Sequence, residues 1–106
     1  NISGCTSLAE LDCARNQLTT LDVSGYTSLK ELYCYGNQLT TLNVSGCTSL
    51  KVLWCYDNQL TTLDVSSCTS LEKLTCYSNP NLKTIYKKKG QDINILAPLY
   101  VEIIEL

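Results

Sequence analysis

Leu50-Lys51-Val52-Leu53-Trp54-Cys55, continued by Asn58-Gln59-Leu60-Thr61-Thr62-Leu63-Asp64-Val65-Ser66, is the stretch from which the fold is read. Its first part has the same frame as Leu8-Ala9-Glu10-Leu11-Asp12-Cys13, Leu29-Lys30-Glu31-Leu32-Tyr33-Cys34 and Leu71-Glu72-Lys73-Leu74-Thr75-Cys76. The four copies start at residues 8, 29, 50 and 71, a constant step of 21. Its second part returns at residues 16–24 and 37–45, changed only at Asn43. Cys-Thr-Ser precedes the frame at 5–7, 47–49 and 68–70, with Tyr26-Thr27-Ser28 once in its place. A fixed period of this size implies stacked supersecondary units, each burying its apolar side only against its neighbours.

A 21-residue coil leaves little room for a full helix on its second side. The expected unit is a parallel strand around residues 10–14, then an extended or 3₁₀ segment. A short second strand fits Thr20-Leu21-Asp22-Val23, which alternates polar and apolar. Leu8, Leu11, Cys13, Leu18, Leu21 and Val23, with their equivalents 21 residues on, are the expected interior. Asn16, Asn37, Asn58 and Asn79 turn inward at a corner, where an amide must be bonded. Backbone groups of the same and the next coil are the expected partners.

The frame Leu-x-x-Leu-x-Cys-x-x-Asn-x-Leu-x-x-Leu resembles the leucine-rich repeat over residues 2–86, with Cys in the third apolar slot. The short period and Leu-Asp-Val-Ser are similar to bacterial internalin-type surface repeats. That resemblance implies a leucine-rich-repeat solenoid with a parallel β-sheet on its concave face and little or no α-helix. It also implies an extracellular or cell-surface setting and an interaction or adhesion role.

Seven cysteines in 106 residues first suggest a disulfide scaffold. Their positions oppose it. Cys13, Cys34, Cys55 and Cys76 form one ladder; Cys5, Cys47 and Cys68 form another, with Tyr26 in the gap. Equivalent residues of stacked coils lie about 4.8 Å apart with parallel Cβ directions, which disfavours disulfides. Reduced, buried thiols are expected. A line of thiols also fails to converge as zinc ligands must, so no metal and no cofactor is expected. Calcium between Asp22, Asn43 and Asp64 would have too few carboxylates, and a turn-forming role is expected for them.

Strand alternation turns Glu10, Asp12 and Ala14 to the open face, with the triplets Glu31, Tyr33, Tyr35, then Val52, Trp54, Tyr56, then Lys73, Thr75, Tyr77. Tyr33, Tyr35, Trp54, Tyr56 and Tyr77 therefore gather there, although the chain has only seven Tyr and one Trp. Exposed aromatics mark binding surfaces and dominate hot spots. They also form cross-strand ladders that only stabilise a sheet. Glu10, Asp12 and Glu31 add an acidic rim suited to a basic partner.

A protein partner leads these readings. A surface glycan, which also stacks on aromatic rings, is the alternative, and a passive spacer is a third. No enzyme is expected: there is no His, no Gly-rich phosphate loop and no nucleophile with a companion base. A net charge of −2 gives no strong attraction to nucleic acid, and no apolar run is long enough for membrane insertion. Lys87, Lys88 and Lys89 beside Gly90 read as a solvated turn rather than a phosphate site.

Residues 1–86 are expected to form about four coils, and residues 87–106 a C-terminal β cap. The cap's first strand has apolar residues inside at an offset of either 21 or 22. Asn1-Ile2-Ser3-Gly4 matches the middle of a repeat with no polar capping unit before it. A piece of a longer protein is expected, with an edge strand open to self-association.

Overall fold

A computed structural model describes residues 8–106; the expectations for Asn1 to Gly4 and for Cys5 lie outside the described residues. Ten short strands follow one another: β1 (Glu10–Asp12), β2 (Thr20–Asp22), β3 (Glu31–Tyr33), β4 (Thr41–Asn43), β5 (Val52–Trp54), β6 (Thr62–Asp64), β7 (Lys73–Thr75), β8 (Thr84–Lys87), β9 (Asn94–Leu96) and β10 (Glu102–Glu105). Among the described residues there is no helix. None is therefore long and apolar enough to cross a membrane.

The odd-numbered strands make one five-stranded parallel sheet in the order β1-β3-β5-β7-β9. Its register is uniform: Leu11 faces Leu32, Leu32 faces Leu53, Leu53 faces Leu74 and Leu74 faces Ile95. Each link is a step of one 21-residue period, because the repeat sends every leucine to the same side.

The second side is divided. β2 pairs with β4, and β6, β8 and β10 form a separate three-stranded sheet. The break falls where Gly25 and Gly46 give way to Ser67. Gly25 N–H donates to Ser45 O at 2.8 Å, whereas Gly46 N–H donates to the Ser67 hydroxyl at 3.0 Å. Both glycines sit at φ 79°, and Ser67 does not share that conformation. Leu42, expected inside, is only half-buried beside this break.

Residues 87–106 extend both sides of the solenoid. β9 pairs with β7 at an offset of 21 (Lys73 with Asn94), and β8 pairs with β6 at 22 (Thr62 with Thr84). The extra residue lies in Asn79-Pro80-Asn81-Leu82. β10 then closes on β8 with Thr84 opposite Glu102. Lys87 bridges to Glu105 at 3.0 Å.

The core is a row of Leu, Val and Cys through the middle coils. Leu32, Leu39, Leu50, Leu53, Leu60, Leu74, Cys34, Cys55 and Cys76 have no solvent exposure. Each fully buried leucine contributes roughly 1.5–3 kcal/mol. In the first and last coils of the described residues, Leu11, Cys13, Leu18, Leu21, Ile93 and Ile95 are half-buried against that core. Tyr26 fills the gap in the second cysteine row and is buried.

Asparagine closes each corner. Asn58 Nδ2 donates to Cys34 O, Cys55 O and Tyr56 O at 3.1–3.2 Å, and its Oδ1 accepts Leu39 N–H at 3.0 Å. Asn37 and Asn79 repeat the arrangement. The inter-coil partners belong to the preceding coil, not the next one as expected from sequence. The amide sits where the chain turns away from the long sheet, so the carbonyls within reach are those of the strand behind it.

Candidate functional site

The register of the long sheet fixes two outward rows. One runs Asp12, Tyr33, Trp54, Thr75, Leu96. The other holds Tyr35, Tyr56 and Tyr77, two residues further along the same coils. All five aromatic side chains stand on this face, and none is part of the buried core. Trp54 is 38% and Tyr77 43% exposed; Tyr33, Tyr35 and Tyr56 are half-buried.

Their packing follows from the strand spacing. Identical rings on equivalent positions of strands about 4.8 Å apart meet face to face. Tyr35 and Tyr56 have centroids 4.7 Å apart at an interplanar angle of 5°, and Tyr56 and Tyr77 are 4.8 Å apart at 16°. The other row is different: Tyr33 meets Trp54 edge to face, at 4.9 Å and 61°. Tyr33 is held by its hydroxyl, which donates to Glu31 Oε1 at 2.9 Å. That bond, with partial burial and the charges of Glu31, Glu10 and Asp12, raises the Tyr33 phenol above its ordinary range. Burial and the neighbouring Tyr35 and Tyr77 raise Tyr56.

The asparagine corners support this face directly. Asn37, Asn58 and Asn79 each donate to the carbonyl of the tyrosine two residues before, Tyr35, Tyr56 and Tyr77, at 3.2–3.3 Å. The residue between them takes a left-handed backbone. Only Gly36 (φ 70°) does so without a side chain; Arg15, Asp57 and Ser78 do so at 56–59°. A Cβ on Gly36 would meet Arg15 Cγ at 3.2 Å.

Glu10 and Asp12 are exposed on β1, and Glu31 is half-buried on β3 opposite Glu10. Asp12 also accepts Ala14 N–H at 3.1 Å. Sequence reasoning missed Arg15, whose guanidinium lies 5.8 Å from the centroid of the Tyr35 ring. The signal was available: the tyrosine row lacks a ring at Ala14, and a cation follows immediately.

The cysteines offer no reactive group at this face. Cys34, Cys47, Cys55, Cys68 and Cys76 are buried, and these and Cys13 are unbridged. Burial pushes Cys34 and Cys55 far up, and Cys68 and Cys76 up to about 12. They are protonated at neutral pH and poor nucleophiles. The Cys47 and Cys68 thiols donate to Val23 O and Val44 O at 3.2 and 3.5 Å. Among the described residues no group of three or more His, Cys, Asp or Glu is placed to hold a metal ion. Asp22, Asn43 and Asp64 each accept the N–H two residues on, at Ser24, Ser45 and Ser66. The Ser24 bonds hold the Asp22 carboxyl below its usual range.

A stack of 21-residue coils with a parallel strand ladder on one side is a repeat-built scaffold. The family model for leucine-rich repeats (2 copies) matches residues 6–46 and 48–88, and the chain belongs to that family. No curated protein and no solved structure matches it. Leucine-rich-repeat stacks generally mediate protein–protein interaction and are typically non-enzymatic, since stacking creates an extended surface rather than an enclosed pocket.

Proposed function

We propose that this chain is a protein-docking module whose contact surface is Tyr33, Tyr35, Trp54, Tyr56 and Tyr77, with Glu10, Asp12 and Glu31 as an acidic rim. The observation that carries the reading is the preorganised aromatic array on one side of the long sheet. Rings already locked by mutual stacking lose little freedom on binding, which is why rigid aromatics make strong contacts. A glycan fits the stacked tyrosine row less well. A sugar ring packs on a free aromatic face, and both faces of Tyr56 are taken by Tyr35 and Tyr77. One face of Tyr35 is taken by Tyr56 and another approach by Arg15. Along this row ring edges and hydroxyls remain, and these suit peptide groups, while Trp54 and Tyr77 at its margin stay partly exposed. The resemblance to internalin-type repeats supports an extracellular, cell-surface setting within a longer bacterial protein.

The test is a double variant, Trp54→Ala with Tyr56→Ala, against a partner recovered by pull-down, run beside a glycan array. Binding should fall by more than about 30-fold, the scale of a hot-spot loss. Cooperative melting and the β circular-dichroism spectrum should persist. Undiminished affinity in the folded variant would remove the docking surface, and selective glycan binding would replace the protein reading.

A further inference from the structure

We propose, resting on the docking reading above, that the segment received by this face is basic, with an arginine stacked on Trp54 and its guanidinium turned toward Glu31 and Asp12. Three observations lead there. The surface already closes one ring with a cation of its own: Arg15 lies over Tyr35 at 5.8 Å. Trp54, by contrast, has no ring parallel to it. Tyr33, Tyr35 and Tyr56 approach it at 61°, 52° and 49°, and it is 38% exposed. Indole is the best cation–π acceptor among side chains, and this one keeps part of its surface in solvent.

The charges beside it have the required sign. Asp12 stands in the same row, next to Tyr33, and Glu31 lies on the strand adjacent to Trp54. Among the described residues, neither these two carboxylates nor Glu10 makes an ion pair within 4.0 Å, although Lys30 and Lys51 stand at the strand starts. The raised Tyr33 phenol reports the same negative potential, after the Glu31 hydrogen bond and burial. On the opposite side, Lys73 on β7 repels a cation, so the charge is directed toward β1 and β3. Arginine suits the site better than lysine: its planar fork stacks on indole while bonding a carboxylate.

Trp54 is the sole tryptophan, so its fluorescence reads this site directly. Hexa-arginine, hexa-lysine and hexa-glutamate peptides are titrated against the intact chain. Hexa-arginine should give a saturable change at several-fold lower concentration than hexa-lysine, and hexa-glutamate none. Glu31→Gln with Asp12→Asn should weaken hexa-arginine by about tenfold; Gln at 31 still accepts the Tyr33 hydroxyl, so the corner is kept. A response to hexa-glutamate, no response to hexa-arginine, or an undiminished response in the double amide variant overturns the proposal. The failures are separable. A partner sensitive to Trp54→Ala but indifferent to the amide variant leaves docking intact and removes the basic specification. A partner indifferent to both removes the docking reading itself.

Discussion

Asn58 has almost no solvent exposure, yet it carries a polar amide into an apolar stack. It persists because its donors and acceptor meet groups of two successive coils. Removing it leaves carbonyls and an N–H without that partner, and such groups cost more buried and unmade than a bond gains when formed. Asn58→Ala should therefore cost roughly 2–4 kcal/mol, read as a lower urea midpoint. The control is Asn16→Ala. Asn16 is exposed, and its side chain donates to Cys13 O and Ala14 O of its own coil; its backbone N–H to Asn37 Oδ1 survives the substitution, so the loss should cost less than about 1 kcal/mol. Equal penalties at the two sites would show that the corner acts locally rather than by tying coils together. The asparagine's inward position was legible from the period. The direction of its bonds was not, because sequence order does not say which neighbouring coil lies within reach of Nδ2.

Strands show the same division between what repeats and what varies. The long sheet was legible because Leu11, Leu32, Leu53 and Leu74 recur at one spacing, and any other register would turn them outward. The five aromatics were placed on its face by the same alternation. Their stacking was not legible, since ring planes depend on rotamers and on neighbours such as Glu31 and Arg15. The split of the second side was hidden too: Thr-Leu-Asp at β2 and β6 is identical, and what accompanies the split is a change of turn residue. Ser67 replaces a glycine and offers its hydroxyl to Gly46 N–H. Ser67→Ala should cost about 1 kcal/mol, the net worth of that bond. Ser67→Gly should cost less, because glycine lets the turn adopt the conformation of Gly25 and Gly46 and rejoin β4 to β6. Melting of the two variants side by side checks this, and equal losses would mean that the turn is not what divides the sheet.

At the scale of the whole solenoid, stability is a sum over neighbouring coils, and the two cysteine rows make that sum sensitive to pH. Cys34, Cys55, Cys68 and Cys76 are fully enclosed in the described core, and burial raises all four. In the unfolded chain the same thiols ionise near pH 8.5. Below that value both states are protonated and stability does not depend on these groups. Above it the unfolded chain loses protons that the folded chain keeps. Unfolding then becomes more favourable as pH rises, until the folded values near 12 for Cys68 and Cys76 are passed. Each buried thiol contributes a loss of about 1.4 kcal/mol per pH unit in that window. The loss should appear between about pH 8.5 and 10, before the raised phenols of Tyr33 and Tyr56 enter with the same sign. Urea midpoints measured under reductant at neutral pH and through this window should be flat, then fall. Cys68→Ala with Cys76→Ala should start from a lower midpoint and fall less steeply. A midpoint that holds steady through the window would mean that both cysteine rows are open to water, against the close packing of coil on coil.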